Sequence, residues 1–453
     1  MKWGTADFLP FSAFLCHLAR FLQERRKQLM PDALHIAFIS YEYPPDTAAG
    51  GIATYVKQAA EMLAGRGHAV EVFTAGKGRG GTEHEDGVLV HRLQDPLGDG
   101  DGTSDFSERI APLFGARHRG APFDVLEGPE YRAEARAAVR LVPEIPLVIK
   151  LHTPSYLLRS MNTALYGPVR RTLSAAKSLL RRERPFYDYK PLEDPERTHC
   201  LDADEVAAPS RAIGETVAKE WELDASKLSF YPLAYTPSAA LLQVPLETHT
   251  NIVTYYGRLE MRKGVVDLAA AIPLILEACP AAKFRFIGRS LPSPKMGQDM
   301  KVFLSQMLAQ QSSSVEFRDP VPPAHIPVLL AETDICVFPS HWESFGYTCL
   351  ESMSAGRGVV ASDPSGMAEM LKGDDGTEFG LLVPPLSPEK IAAAVIALLQ
   401  NPARRIALGT SARQRVLEQY SVSRVGALQE QSYRRAIERR AAAGLRRHRR
   451  PPK

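Results

Sequence analysis

The chain has 453 residues, of which 45% are hydrophobic and 24% charged, and this globular composition excludes disorder as its main state. Residues 1–30 carry five basic and two acidic side chains and residues 434–453 carry nine and one, so with a net charge of +3 the body between them is acidic. Basic ends on an acidic body argue against a nucleic-acid partner and leave open a peripheral contact with an anionic membrane.

Residues 1–30 form an N-terminal extension before the first predicted strand. Its apolar side chains recur at helical spacing, but His17 and Arg20 interrupt the run, so a membrane span is not expected. The segment is either an amphipathic helix at a membrane surface or an upstream extension with Met30 as the true start, and we favour the second. Five scattered cysteines without metal-ligand spacing indicate the cytoplasm, with attachment to the inner face of the membrane left open.

From Leu34 onwards, short apolar runs alternate with helical patterns, which is typical of a parallel sheet covered by helices on both faces. Helices are predicted at Ile52–Leu63 and Tyr131–Leu141, and a long, basic, mainly helical insertion at about 155–200. The predicted strands are Leu34–Ile39, Ala69–Thr74, Val88–Leu93, Val125–Glu127, Leu147–Leu151 and Ala203–Ser210.

A second alternating series follows a linker at 236–250, and it ends with a helix predicted at Pro388–Leu399. Its predicted strands are Ile252–Tyr256, Phe284–Ile287, Val315–Phe317, Ile335–Phe338, Val359–Ala361 and Leu381–Val383. The sequence therefore predicts an α/β protein with two Rossmann-like, doubly wound domains, at 31–240 and 250–420, facing across a cleft that receives the ligand. Helices over 403–440 are expected to pack across both domains, and 421–453 to form a C-terminal helix with a solvated basic tail.

Paired glycines follow the first strand of the first domain. Gly50 and Gly51 open a predicted helix, where backbone amides and the helix dipole favour a phosphate. The motif lacks a Walker lysine, so a tight turn without a ligand is an equal alternative.

A strand–loop–helix junction of the second domain carries two cations, Arg258 and Lys263, five positions apart. A planar guanidinium fork together with a point charge can hold a diphosphate. The alternative is a solvated loop.

The segment after strand Ile335–Phe338 carries two carboxylates, Glu343 and Glu351, on either side of a helix start at Gly346. The free amides of such a start accept phosphate oxygens. The two carboxylates are too far apart to form one acid–base pair and suit two hydroxyl-rich groups, although a pair of surface carboxylates has the same spacing. His152 ends a buried strand of the first domain, where it is either a structural histidine or a ligand for a substrate hydroxyl.

These motifs together resemble glycosyltransferase family 4. The segments that carry the resemblance are GRLEMRKG (257–264), ESFGYTCLE (343–351), ADEVAAPS (203–210) and TDICVFPS (333–340), and it spans about 31–430. The resemblance implies the GT-B fold and sugar transfer from a nucleotide-sugar donor to a hydroxyl acceptor with retention of configuration. It implies no metal and no cofactor, since the nucleotide sugar is a substrate.

The resemblance also implies a role for each site residue. Arg258 and Lys263 would bind the donor diphosphate, Glu343 the hydroxyls of the transferred sugar, and Glu351 the ribose. The sugar and phosphates would be lined by Phe345, Gly346, Tyr347 and Thr348, with Gly50 and Gly51 from the other domain and His152 near the C6 hydroxyl.

Two positions depart from the family pattern. Ser365 stands where many members have glycine, and Tyr347 is bulkier than the usual aliphatic residue. Asp202 and Asp204 form a DxD pattern that is typical of a metal site, but they precede a strand far from the diphosphate residues, which disfavours a metal there.

The acceptor is expected in cell-envelope polysaccharide or glycolipid synthesis. Residues 170–184 form a basic amphipathic helix that suits either an anionic lipid surface, and hence a lipid-linked acceptor, or a solvated flank of the acceptor groove. Two other functions remain: a non-catalytic subunit of this shape that binds sugar or nucleotide, and a GT-B epimerase.

Overall fold

The computed structural model describes residues 32–47, 50–78, 80–95, 106–165, 189–295 and 297–444. The N-terminal extension 1–30, the basic segment 170–184 and the end of the tail, 445–453, lie outside these residues. The described part contains two sheets, one of eight strands and one of six.

The eight-stranded sheet belongs to the N-terminal lobe and has the order β3-β4-β2-β1-β5-β6-β7-β8. Its strands are β1 (His35–Ile39), β2 (Ala69–Lys77), β3 (Gly81–Glu85), β4 (Val88–Asp95), β5 (Val125–Pro129), β6 (Leu147–Lys150), β7 (Glu205–Ala208) and β8 (Leu228–Phe230). The helices are α1 (Gly51–Gly65), α2 (Phe106–Gly120), α3 (Arg136–Leu141), α4 (Ser155–Leu165), α5 (Pro195–Asp202) and α6 (Arg211–Trp221).

The six-stranded sheet belongs to the C-terminal lobe, is parallel throughout, and has the order β11-β10-β9-β12-β13-β14. Its strands are β9 (Ile252–Tyr256), β10 (Lys283–Ile287), β11 (Val315–Arg318), β12 (Ile335–Phe338), β13 (Gly358–Ser362) and β14 (Leu381–Val383). The helices from residue 239 onwards are α7 (Ala239–Leu242), α8 (Val265–Ala278), α9 (Met300–Met307), α10 (Ile326–Ala331), α11 (Tyr347–Ser354), α12 (Gly366–Leu371), α13 (Pro388–Gln400), α14 (Pro402–Gln419) and α15 (Val422–Ala443).

The central strands are fully buried runs such as HIAFI and ICVF, as expected for sheets covered on both faces. One apolar cluster joins the lobes, since it contains Val56 and Tyr433 together with Leu350 and Met353. The lobes therefore share a core at one side of the cleft.

The expectation of an all-parallel first sheet is wrong at one edge, because β3 pairs antiparallel with β4. The connection is Asp86-Gly87, and both residues have positive φ, 49° and 84°. Such a pair forms the tight hairpin turn whose twist matches its strands, and the Asp-Gly dipeptide is its sequence signal. The short strand β8 was also not predicted.

The predicted helix Tyr131–Leu141 is broken near its start. Arg132 and Ala133 both have left-handed backbones, with φ of 58° and 51°, and the α-helix begins at Arg136. The predicted linker 236–250 likewise contains α7, whose first turn is capped by Ser238. In both places tertiary contacts override the local pattern.

The prediction of a solvated basic C-terminus is wrong over the described part of that segment. Helix α15 returns to the N-terminal lobe, where Arg435 and Arg439 contact Glu205 and Arg440 contacts Asp204. Both carboxylates are buried, and each needs a cation because an unpaired buried charge is costly. The basic side chains therefore neutralise the buried carboxylates at the start of β7.

Within the described residues, no single helix is long and apolar enough to cross a membrane. The pair α13 and α14 meets the length and composition criteria together, but it is bent by 100°.

Candidate active site

The predicted site residues lie on loops that follow strands and on the first turns of the next helices. The loop after β9 carries Arg258 and Lys263, and it packs tightly against the loop after β12. Gly264 makes this approach possible: its φ is +66°, and a Cβ there would stand 1.9 Å from the carbonyl oxygen of Pro339. Only glycine fits this backbone and this space.

Lys263 and Glu343 form a half-buried ion pair at this junction. The Lys263 ammonium donates to Oε2 of Glu343, and Nη1 of Arg262 lies 3.9 Å from the same oxygen. Burial raises the pKa of Glu343, but the charges of Lys263 and Arg262 outweigh it and hold the pKa below its usual value. The residues assigned to the diphosphate and to the sugar therefore contact each other, and Glu343 is an anion.

Arg258 lies at the open side of this pair. Its guanidinium is 56% exposed and lies 3.2 Å from Oε1 of Glu260, while its backbone carbonyl accepts a hydrogen bond of 2.6 Å from Tyr255. The backbone is fixed and the cation faces open space, where it can meet an anionic ligand.

Helix α11 begins next to Lys263 and Glu343, as predicted. Its N-cap is Gly346, which has φ of +131° and no side-chain cap, so the first amides, including those of Tyr347 and Thr348, lack a capping side chain. Phe345 is buried before this start. The bulky Tyr347 packs edge-on against Phe345, with ring centroids 5.8 Å apart.

The loop with the unusual Ser365 supports the same region. The amide of Gly366 donates to the carbonyl of Glu343 at 2.8 Å, and a Cβ at Gly366 would stand 2.1 Å from the carbonyl oxygen of Ser344. Ser365 is buried, and its hydroxyl donates to the carbonyl of Ser362. The serine thus closes its own turn, and the glycine required for the close approach is present.

Glu351 lies in a separate environment one and a half turns into α11. Burial raises its pKa to about 7, opposed by a hydrogen bond from Tyr256. The Tyr256 hydroxyl also reaches the carbonyl of Thr348 at 2.6 Å and the hydroxyl of Ser352 at 3.0 Å. Glu343 and Glu351 therefore do not act as one pair, in agreement with their spacing.

His152 follows β6, and its side chain is buried. Its backbone amide donates to both carboxylate oxygens of Glu130 at 2.9 Å, and the Tyr55 ring lies edge-on at 5.3 Å. Burial and the nearby charge of Lys150 lower the pKa of His152 to about 3, so the imidazole is neutral. Its Nε2 atom has no hydrogen-bond partner among the described residues, which suits a ligand hydroxyl.

Gly50 and Gly51 lie where predicted, as the N-cap and first residue of α1, and both are exposed. The structure adds a residue that sequence reasoning missed. Oε2 of Glu42 would lie 3.3 Å from a Cβ placed on Gly50, and it has no partner in the described residues. Burial raises the pKa of Glu42 against the lowering effect of the Ala53 amide.

Further buried carboxylates behind the first-lobe loops were also missed. Burial raises the pKa of both Glu130 and Glu134 to about 8, and the carboxylate of Glu196 accepts from the amides of Arg132 and Ser155 at 2.9 and 2.8 Å. Glu130 directly follows β5, and this position at the carboxyl end of a buried strand was the available signal. These groups hold the loop backbones that carry His152 and Arg132.

The DxD pattern takes no part in this site. Asp204 accepts from the Leu147 amide at 2.9 Å and pairs with Arg440. In the described part of the chain, no three His, Cys, Asp or Glu side chains are arranged to hold a metal ion.

Both halves of the chain match family models. Residues 250–401 match the model described as "Glycosyl transferases group 1", and residues 50–234 match the "Glycosyl transferase 4-like domain". A curated relative, an uncharacterized glycosyltransferase of Methanocaldococcus jannaschii, is 24% identical over 426 residues, which are 89% of this chain and 99% of the relative.

Solved structures show the same fold. Sucrose-phosphate synthase from Thermosynechococcus elongatus superposes with a TM-score of 0.65 at 23% identity, over 88% of this chain and 98% of that one. The Anabaena protein HepE, in complex with UDP-glucose, gives a TM-score of 0.57 at 16% identity, over 88% and 99%. The predicted arrangement of two Rossmann-like domains is confirmed.

Proposed function

The chain belongs to the group 1 glycosyl transferases and is a nucleotide-sugar-dependent glycosyltransferase, and on that premise we propose that it transfers the sugar with retention of configuration. The observation that carries the proposal is the half-buried Lys263–Glu343 pair at the uncapped start of α11, with Arg258 facing open space beside it. This arrangement offers two cations and several amides to a diphosphate, and an anion to sugar hydroxyls.

The proposed chemistry follows from where charge develops. Cleavage of the anomeric bond leaves a cationic sugar and a nucleoside diphosphate that gains negative charge. Lys263, Arg258 and the amides of α11 would bind that anion more tightly in the transition state than before it, which lowers the barrier. The leaving phosphate would take the proton of the acceptor hydroxyl on the same face of the sugar, so neither a metal ion nor a cofactor is needed.

Two residues would hold the transferred sugar from opposite sides. Glu343 would accept hydrogen bonds from its hydroxyls, and the unpartnered Nε2 of His152 would meet another hydroxyl from the N-terminal lobe. Glu351, on the far side of the diphosphate, would bind the ribose. Because His152 is neutral, it would orient the sugar without adding a positive charge.

For the acceptor, we propose a hydroxyl compound of cell-envelope polysaccharide or glycolipid synthesis, with the protein in the cytoplasm at the inner face of the membrane. The basic segment 170–184 supports a lipid-linked acceptor. Pelleting with anionic vesicles that is lost at high salt is the expected behaviour, and the absence of pelleting at low salt would contradict it.

A panel of nucleotide sugars tests the central proposal. The donor should raise the melting temperature, since a ligand that binds the folded state alone stabilises it. The same compound should then release nucleoside diphosphate slowly without acceptor, and the product anomer, read by NMR, should keep the donor's configuration. Stabilisation without release would instead indicate a binding subunit, and an inverted anomer would contradict retention.

A further inference from the structure

The two lobes meet at the N-terminus of α6, a helix of the N-terminal lobe. The carboxylate of Glu369, on α12 of the C-terminal lobe, accepts from the amide of Arg211 at 3.0 Å and from that of Ala212 at 2.9 Å. The N-cap of the same helix, Ser210, donates through its hydroxyl to the carbonyl of Ser344 at 2.7 Å. One helix start thus binds two segments of the opposite lobe.

This contact is favourable only while the lobes are together. The first amides of a helix have no partner within the helix, and a carboxylate that accepts from two of them gains both hydrogen bonds and the helix dipole. Because Glu369 comes from the other lobe, these hydrogen bonds stabilise only the closed arrangement of the lobes. When the lobes separate, the amides of Arg211 and Ala212 must turn to water.

Glu369 is fixed within its own lobe. Its backbone carbonyl accepts from Nη2 of Arg415 at 3.0 Å, and α12 is tied to the donor loop through the bond from the Gly366 amide to the Glu343 carbonyl. A movement of α12 therefore carries the backbone of Glu343 with it.

The contact also adjoins the candidate chemistry on both sides. Ser344 follows Glu343 directly, and Thr153 follows His152 directly. The Thr153 hydroxyl donates to the Ser344 hydroxyl at 3.1 Å, across the cleft. These hydrogen bonds therefore lie next to both His152 and Glu343, which would hold one sugar between them.

We propose that Glu369 is a positioning residue: its capping of α6 holds the lobes closed and aligns Glu343 with His152 for sugar transfer. This inference rests on the proposed function for its catalytic consequence, but the closing contact itself does not depend on it. We name Glu369, Ser210, Ser344 and Thr153 the closing contact.

The variant Glu369→Ala tests the proposal in the full-length protein. Small-angle scattering without substrate should show a larger radius of gyration than wild type, because the open arrangement gains population. The affinities for UDP and ADP should be unchanged, since Arg258, Lys263 and Glu351 all lie on the C-terminal lobe. The kcat for nucleoside-diphosphate release from UDP-glucose, or from whichever nucleotide sugar the panel identifies, should fall about 10- to 100-fold. A misplacement of reacting groups by about 1 Å can reduce the rate by roughly 100-fold.

The matched control is Glu389→Ala. Glu389 is also an acidic residue in the first turn of a C-terminal-lobe helix, α13, but it is exposed. It should change neither the scattering nor the turnover. If Glu369→Ala fails to fold, Glu369→Gln keeps the shape and one acceptor oxygen, and it should give the same split between kcat and nucleotide affinity with a smaller loss of kcat.

Two results would overturn the inference. The first is a folded Glu369→Ala protein with wild-type scattering and wild-type kcat. The second is a fall in kcat matched by an equal loss of nucleotide affinity, which would mean general damage to the donor site. If no nucleotide sugar is turned over even by wild type, the proposed function fails, while the scattering result still decides whether the closing contact holds the lobes.

Discussion

Lys263→Ala is the most direct test of the charge argument. In the native site, Glu343 accepts from the Lys263 ammonium and has Arg262 at 3.9 Å, where Arg262 also donates to Glu260 at 2.8 Å and to the Trp342 carbonyl at 3.1 Å. Without Lys263, the departing diphosphate loses a cation and meets a carboxylate that is only partly neutralised. We expect a loss of about 3 kcal/mol of transition-state stabilisation, or roughly 10²–10³ in kcat/KM for sugar transfer.

The same change leaves the half-buried charge of Glu343 with a weaker partner, so a loss of folding stability must be separated from the loss of rate. The double variant Lys263→Ala/Glu343→Gln removes that charge and should recover the urea midpoint without recovering kcat/KM. Lys390→Ala, at an exposed lysine of the same lobe, is the matched control. If the double variant transferred sugar at the wild-type rate, Lys263 would serve only to neutralise Glu343 and the charge argument would be refuted.

Three further predictions concern other parts of the molecule. Glu351 has a pKa of about 7, above its unfolded value, so the stability it contributes is present below its unfolded pKa of about 4.5 and is lost as pH rises through 7. Glu351→Gln should therefore raise the melting temperature more at pH 8 than at pH 5, and an equal shift at both pH values would contradict this. Arg440→Ala removes the ion-pair partner of the buried Asp204 carboxylate and should lower the free energy of unfolding in urea by about 3–5 kcal/mol. Arg434→Ala, at an exposed position, should lower it by less than about 0.5 kcal/mol. Gly264→Ala should abolish nucleotide-induced stabilisation, because the Cβ meets backbone at 1.9 Å, while Gly376→Ala, with φ of +85° and open space around it, should retain that stabilisation.

The sheets and the loops that carry the site could be predicted because both depend on local pattern. Buried parallel strands are continuous apolar runs, and the chemistry follows them in sequence: Arg258 after β9, Glu343 after β12, His152 after β6. Periodicity and position are enough for such an inference. Whether those side chains bind a donor stays a prediction.

The remaining features depend on contacts between distant parts of the chain. Glu369 fits the family pattern in sequence, but its contact could not be predicted, because its partners lie more than 150 positions away. The basic end of α15 was predicted to be solvated because its own sequence gives no sign of its partners, the buried Asp204 and Glu205, which lie far away in the chain. Such charges can be assigned a role only when the opposite surface is known.

The C-terminal helix connects these observations. The chain passes between the lobes twice, first after Tyr235 and again after α14, at Tyr420. At this place the Tyr420 carbonyl accepts from the amide of Tyr235 at 3.4 Å. The two segments that cross between the lobes therefore lie together. Helix α15 then binds the first lobe from behind, with Gln429 and Tyr433 donating to Oε2 of Glu127 at 3.1 and 2.7 Å.

The buried carboxylate of Glu127 is also connected to the candidate active site through Tyr55. Glu127 accepts from Tyr55 at 2.7 Å, and the Tyr55 ring is the one that lies against His152. On one side, His152 contacts a network that includes the C-terminal helix, and on the cleft side its neighbour Thr153 belongs to the closing contact. The hydrogen bond from Thr153 to Ser344 links the residue after His152 directly to the residue after Glu343, so the closing contact adjoins both side chains that would hold the sugar.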